Sequence, residues 1–325
     1  MNRKIICVTP VKNEAWILRS FLTVVSTWAD YIVISDNGST DGSKEIARSF
    51  PKVKLIENDE LKEFDEYLLR KPLIDAAREI EGEKVIVSLD ADEAITKPSG
   101  EEWENILSSP PGTLVQLMSM NVLPGFSNYF KGNYTDVIYI DDGSPFEKIG
   151  LVHVSRMSVR PKNVIQSSVG CLHFAYLDWP RMVSKHRWYQ CYEKITFPKN
   201  PLDIYRRYHW MYSPKLEKQN IPMAWLDDYT DRGGHVEFPS QVEYPWDLKI
   251  REYFTKYGTR YFQYVDIWDY PWNVKVHRSL FSKFFLSYLR KTNNAYYQHP
   301  SITRYTDLFM KGLYRLFVER ATGGK

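Results

Sequence analysis

The sequence predicts an α/β fold: a mostly parallel sheet flanked by helices, followed by a mainly helical C-terminal extension. Two observations carry this. Within the first hundred residues, four short apolar runs alternate with segments of helical periodicity, the signature of strand–helix–strand units whose right-handed crossovers build a parallel sheet. Beyond about residue 200 that alternation gives way to a stretch rich in Pro, Trp and Tyr, which ends in two amphipathic segments. The chain of 325 residues therefore reads as a first domain over 1–200 and an extension over 201–325.

The elements follow in order. Lys4–Thr9 is a buried strand stopped at Pro10. Glu14–Thr27 carries Ile17, Leu18, Phe21, Val24 and Val25 at helical spacing, with Asn13 as its expected N-cap. Tyr31–Ser35 is a second strand, running into the turn Asp36-Asn37-Gly38-Ser39. Ser43–Phe50 reads as helix, Val53–Ile56 as a third strand, and Phe64–Ile80 as a longer helix interrupted at Pro72. Lys84–Leu89 is a fourth strand that leads directly into Asp90-Ala91-Asp92-Glu93. Later strands are expected at Leu114–Val122, Val137–Ile140 and within Val164–Phe174, and helices at Asp178–Ile195 and Leu248–Tyr257.

Composition narrows the class. A hydrophobic share of 43% supports a sizeable core. Cys7, Cys171 and Cys191 are too few and too scattered for a disulfide framework or a zinc site. The apolar run in MNRKIICVTP is too short for a signal peptide, and nowhere do 18 apolar residues run together, so the expectation is a cytoplasmic protein. Seven of the ten tryptophans lie after residue 170, where they serve either core packing or a sugar-binding groove. The net charge of +3 is unevenly spread: nine Lys/Arg against two Asp/Glu from His277 onward, and 34 against 38 before it. The basic tail points to an anionic partner.

In a parallel sheet, ligands gather outside the carboxyl ends of the strands. Thr9, Asp36 and Asp90–Glu93 all stand at such ends, so topology alone places a site there. Asp90 and Asp92 present hard oxygen ligands that suit Mn²⁺ or Mg²⁺, with a diphosphate supplying further oxygens. The bland reading of the same tripeptide is a solvated turn. Asp36, at the end of the second strand, is placed to meet a ribose or base; its bland reading is turn chemistry within DNGSTDGS. No GxGxxG follows the first strand, which argues against a standard dinucleotide site.

The segments TPVKNEAWILRSFLTVVSTWADYIVISDNGSTDGSKEIA and VSLDADEAI together resemble the family 2 glycosyltransferases, in particular a branch with KNE near the start and DADE as the metal motif. The resemblance covers residues 1 to about 195. It implies a GT-A, Rossmann-like fold, a nucleotide-sugar donor (UDP-, GDP- or dTDP-linked), a Mn²⁺ or Mg²⁺ ion, and inversion at the anomeric carbon. By the same resemblance Pro10, Val11 and Glu14 belong to the loop that holds the nucleotide, Asp36 contacts the base or ribose, and Asp90 and Asp92 form the DxD. Lys12 stands where many members have Tyr. CLHFAYLDWPRMVSKHRWYQCYE is similar to a segment in which a His ends a strand and a basic helix follows. That implies His173 beside the metal, with Lys185 and Arg187 neutralising phosphate charge; the bland reading of His173 is a core histidine between Leu172 and Phe174.

An inverting transfer needs a base to take the acceptor's proton. Asp141, Asp142, Glu147 and Asp178 are the candidates, with Asp142 preferred, because adjacent carboxylates raise one another's pKa. The competing reading of Asp141-Asp142-Gly143 is a plain turn. The acceptor expected is a hydroxyl on a glycan or lipid-linked saccharide. In the tail, 279–291 and 305–318 fit amphipathic helices that pack on the rest of the chain, with peripheral membrane contact as the alternative. A nucleic-acid acceptor has no recognised binding motif behind it, and a sugar nucleotidyltransferase would need a glycine-rich start where TPVKNE stands. A donor-binding protein without catalysis is the non-enzymatic rival, and the intact DADE argues against it.

Overall fold

A computed structural model describes residues 3–58, 65–96, 100–148, 155–197, 199–213, 215–226 and 243–319. Phe64, where the third helix was expected to begin, and the tail cations Arg320 and Lys325 lie outside the described residues. The chain divides into two compact units: Met1–Leu177 with Lys218–Pro239, and Asp178–Glu217 with Ser240–Lys325.

The first unit is built on one sheet. Its strands are β1 (Lys4–Val11), β2 (Tyr31–Asp36), β3 (Val53–Glu57), β4 (Lys84–Ser88), β5 (Glu93–Ile95), β6 (Thr113–Val122), β7 (Asn128–Ile140), β8 (Asn163–His173) and β9 (Lys218–Asn220). The spatial order is β3-β2-β1-β4-β7-β6-β8-β5, with β9 on the side of β7. β3, β2, β1 and β4 run parallel, as the alternation predicted. β7 then enters antiparallel to β4, and β6 antiparallel to β7.

Period-two alternation sends neighbouring side chains to opposite faces of the sheet. Cys7, Ile32, Ile34, Val85 and Val87 join one core with Leu18, Phe21, Leu22 and Val25 of α1 (Ala15–Val25). Ile6, Val8, Val33 and Ile86 join the other with Leu73, Ile74 and Ala77 of α3 (Glu66–Arg78). The strands are thus buried on both sides, which is why they read as unbroken apolar runs. The other α-helices among the described residues of this unit are α2 (Ser43–Arg48) and α4 (Gly100–Leu107). Cys7 and Cys171 are free and buried, and burial pushes the Cys7 thiol up to about 12, so it is an inert packing residue.

The second unit is helical: α5 (Trp179–Thr196), α6 (Pro201–Tyr208), α7 (Pro245–Tyr257), α8 (Leu280–Gln298) and α9 (Pro300–Tyr314). The boundary expected at residue 200 falls instead between Leu177 and Asp178, because α5 buries Cys191 against Ile250 and Phe254 of α7. The aromatic richness of this region is largely core. Phe254 stacks on Trp268 at 5.5 Å and meets Trp272 edge-on at 5.3 Å, while Tyr264 meets Phe285 and Tyr314 edge-on at 5.8 and 5.2 Å.

Candidate active site

Three strand ends define the site. β1 lies between β2 and β4, with Val11 paired to Asp36 and Val8 to Ser88, so Asp36 and Asp90 flank the carboxyl end of β1 on its two sides. The loops after β1 and β2 are laced together. Asn13 N donates to Ser39 Oγ (2.9 Å), Thr40 N to Asn13 Oδ1 (2.9 Å), Glu14 N to Ser43 Oγ (3.0 Å) and Ala15 N to Asp41 Oδ2 (3.0 Å). This corrects the expected cap. Glu14 holds the N-cap position of α1, and Asn13 takes φ +56°, a conformation asparagine tolerates, to reach across to Thr40.

Asp36 is fully buried. Its Oδ1 accepts from Gly38 N (3.1 Å) and Ser39 N (2.9 Å), and Lys44 Nζ lies 3.8 Å away. Gly38 supplies the positive φ (+81°) that this turn needs. Oδ2 of Asp36 is buried and has no hydrogen-bond partner among the described residues. A buried carboxylate oxygen without a donor costs free energy, and such atoms call for an explanation.

Of the other donor-loop residues, Val11 is 1% exposed and packs in the core, so its contribution is its carbonyl, which accepts from both Asn37 N (2.8 Å) and Asn37 Nδ2 (3.2 Å). Pro10 stays at the strand end, paired with Ser35. The Glu14 carboxylate accepts from Trp16 Nε1 at 2.7 Å.

The second half of the site is the turn after β4. Asp90 N donates to Glu93 Oε2 (3.0 Å) and Glu93 N to Asp90 O (3.0 Å), which closes the turn on itself. Glu93 is 2% exposed and is gripped by both guanidinium nitrogens of Arg156, one at 2.6 Å. Arg156 also stands 3.7 Å from Asp90 Oδ2. Burial opposes its charge, but Glu93 and Asp90 outweigh this and raise its pKa. From α3, Arg70 reaches Ser88 Oγ and Asp90 Oδ1, both at 2.9 Å. Asp90 is therefore oriented by two arginines, yet its side chain remains 37% exposed.

Asp92 is 6% exposed. Its Oδ2 lies 3.8 Å from His173 Nε2, because Glu93 of β5 pairs with His173 of β8. On the far side of the ring, His173 Nδ1 faces Asn121 Oδ1 at 2.9 Å. That oxygen can only accept, so Nδ1 donates to it and Nε2 is the ring nitrogen turned toward Asp92. A histidine oriented by a second polar group, with a carboxylate beside its other nitrogen, is the usual pattern at metal sites. Among the described residues, no group of three or more His, Cys, Asp or Glu is placed to hold a metal unaided. Asp90, Asp92 and His173 thus do not form a complete ligand set among the described residues.

The structure does not bring Asp141 and Asp142 to this site. β7 runs antiparallel to β4, with Val85 opposite Ile140, so its carboxyl end lies at the amino end of β4, where Asp141 N donates to Lys84 O (3.1 Å). From Lys84 to Asp90 the strand climbs about 20 Å. Both acids are also committed locally. Asp141 accepts from Arg78 (2.8 Å); Asp142 pairs with Lys162 (2.8 Å) and accepts from Tyr139 Oη (2.5 Å). Lys162 and Tyr139 hold the Asp142 carboxyl well below the usual carboxylate range, the reverse of what a general base requires. Asp178 is occupied as well: it caps α5 by accepting from Arg181 N (3.0 Å) and takes a hydrogen bond from Tyr244 Oη (3.1 Å). Glu147 pairs with Arg160 at 3.1 Å.

Lys185 and Arg187 lie on α5 in the helical unit. Arg187 binds Asp247 (3.2 Å) and Asp269 (3.3 Å) and sits over the ring of Tyr270, so its charge is already balanced within that unit. Lys185 stands 5.7 Å from the Trp246 ring centroid. Sequence reasoning missed Arg70, Arg156 and Asn121. Arg70 had a signal: it shares a helix face with Leu73, Ile74 and Ala77, an apolar stripe on which a lone arginine needs a buried partner.

A parallel sheet that carries an acid after β2, a DxD turn after β4 and antiparallel strands beyond it matches the GT-A fold expected from the sequence. Residues 6–103 match the family model described as glycosyl transferase family 2. No curated protein matches the chain. Among solved structures, the chain is similar to glucosyl-3-phosphoglycerate synthase from Mycobacterium tuberculosis, solved with Mn²⁺ and UDP, at 18% identity over 38% of this chain and 45% of that one, with a TM-score of 0.26. It therefore spans less than half of that synthase. GalNAc-T7, solved with UDP, GalNAc and Mn²⁺, is 18% identical over 45% of this chain and 27% of the other, with a TM-score of 0.31. A 4-diphosphocytidyl-2C-methyl-D-erythritol synthase is 15% identical over 52% and 91%, with a TM-score of 0.34.

The placement of Asp142 gives a first prediction. Asp142→Asn is expected to leave glycosyl transfer intact and to lower the melting temperature at pH 7. Because the folded pKa is depressed, Asp142 stabilises the protein above its unfolded pKa of about 3.9, and this is lost as pH falls toward the folded value. The gap between wild type and variant should shrink below about pH 4 in melting curves. A transfer-dead but stable Asp142→Asn protein would restore it as a base.

Proposed function

We propose that the chain transfers a sugar from a nucleotide-sugar donor to a hydroxyl acceptor, with a divalent metal at Asp92 and His173. The observation that carries this reading is the pairing, on either side of β1, of a buried carboxylate oxygen on Asp36 that has no partner among the described residues with the adjacent Asp92 carboxylate and His173 imidazole. Asp36 Oδ2 would accept from a base N–H or a ribose hydroxyl of the nucleoside, UDP-, GDP- or dTDP-linked. Asp92 Oδ2 and His173 Nε2 would supply two ligands to Mn²⁺ or Mg²⁺, and the diphosphate the rest. A metal held there would supply positive charge against the departing nucleoside diphosphate.

The chain's own residues orient these groups. Asn121 fixes the tautomer and tilt of His173, while Arg70 and Arg156 hold Asp90 and the closed turn, so the Asp92 carboxylate is aimed before donor arrives. The inverting course implied by the family needs a base for the acceptor, and neither Asp141 nor Asp142 stands at this edge.

Asp36→Asn tests the nucleoside half. The amide keeps an oxygen for Gly38 N and Ser39 N, so the turn should persist, but the charged acceptor at Oδ2 is lost. A hydrogen bond to a charged group contributes about 1.5–3 kcal/mol, so KM for the donor should rise about 10- to 100-fold with the melting temperature little changed. An unchanged KM would remove Asp36 from the donor site.

A further inference from the structure

We propose that the helical unit docks on an anionic lipid surface through the outer faces of α8 and α9. The argument starts from helix periodicity. A helix in a globular protein needs one apolar stripe, facing the core. Both helices have that stripe: Phe285, Leu286 and Leu289 of α8 pack with Met310 and Tyr314 of α9, together with Leu202 and Tyr205 of α6. Each then carries a second row of large apolar side chains that the core cluster among the described residues does not take up.

On α8 this outer stripe is Leu280 and Phe284, 85% and 55% exposed. On α9 it is Ile302, Tyr305 and Phe309, 68%, 76% and 67% exposed, and it continues one heptad on to Leu316 in the π turn Arg315–Glu319. The two stripes meet at one end, where Phe281 contacts Phe284 (6.4 Å) on its own helix and Phe317 (5.1 Å) beyond α9. Isolated apolar residues on a surface are ordinary, but large ones recurring at helical steps on two packed helices mark an interaction face.

The charge says what kind. Lys283 and Lys291 on α8 and Arg304 and Arg315 on and after α9 are all exposed and interleaved with these apolar residues. None has an acidic partner among the described residues. The buried cations and acids of the same unit, by contrast, are paired, as Arg206 is with Asp307 at 3.0 Å. The only exposed acid described from Lys275 onward is Glu319. Bulky apolar side chains flanked by unpaired lysine and arginine fit the boundary between acyl chains and anionic headgroups, where each basic side chain adds attraction. No helix among the described residues is long and apolar enough to cross a membrane, so the contact is peripheral.

The test is co-sedimentation of the full chain with vesicles of phosphatidylcholine alone and of equimolar phosphatidylcholine and phosphatidylglycerol. The protein should pellet with the anionic vesicles and be released as salt rises. The triple variant Phe284→Ser, Phe309→Ser, Leu316→Ser should stay in the supernatant with an unchanged melting temperature, since those residues lie outside the core. Charge reversal at Lys283, Lys291, Arg304 and Arg315 should weaken binding by about a hundredfold or more. Donor hydrolysis without vesicles should be unaffected in both, which separates this proposal from the catalytic reading. Failure to pellet with anionic vesicles, equal binding to neutral ones, or concentration-dependent self-association abolished by the triple variant would each overturn it, the last by assigning the face to a second copy of the chain.

Discussion

Replacing Asp92 by alanine is expected to cut transfer about a thousandfold or more while leaving the fold intact. The carboxylate is 6% exposed, yet its one described side-chain neighbour is a histidine whose Nε2 lies 3.8 Å away. A buried acid with no arginine or lysine beside it contributes little to stability, so its removal should not lower the melting temperature. It should remove the only anionic ligand that the protein offers directly opposite His173. His173→Ala should act in the same direction with a smaller effect. Turnover near the wild-type level in Asp92→Ala would eliminate the metal assignment, whereas loss of turnover with collapse of the melting transition would point to a structural role instead.

Arg156→Met should have the largest effect on stability, about 3–5 kcal/mol. Arg156 is the bidentate partner of Glu93, which is 2% exposed and also ties down Asp90 N. Without the guanidinium, Glu93 remains as a buried uncompensated charge. Removing one member of a buried pair costs far more than removing both, so Arg156→Met combined with Glu93→Gln should recover much of the loss in denaturant unfolding. A single variant as stable as the parent would show that the turn is held by other contacts. Activity should fall in both variants, because the closed turn that aims Asp92 is loosened.

How far the sequence reached depends on how local each signal is. β1, β2 and β4 were legible because each is largely buried and ends in turn residues, so composition and punctuation agree. β7 was read as Val137–Ile140 only, since its first half, Asn128–Asp136, is largely half-exposed and polar. β5 spans three residues, and α4 buries only Ile106, so neither has a period to detect. The misplaced base has a different cause. Asp141-Asp142 does end a strand, but β7 is reversed relative to β4, and strand direction is set by long-range pairing that no local pattern encodes. Asp36, Asp90 and Asp92 were expected on one edge because parallel strands fix which edge their ends share; the pairing of β5 with β8 puts His173 beside Asp92.

The central claim is that a donor sugar is activated at the carboxyl edge between β2 and β4. The most direct measurement is the release of nucleoside diphosphate from UDP-, GDP- and dTDP-sugars, with and without Mn²⁺, by the wild-type chain and by the Asp92→Ala and Asp142→Asn variants. The account predicts release from one class of donor that requires the metal, disappears in Asp92→Ala and survives in Asp142→Asn. Release indifferent to both the metal and Asp92, or abolished by Asp142→Asn in a folded protein, would contradict it.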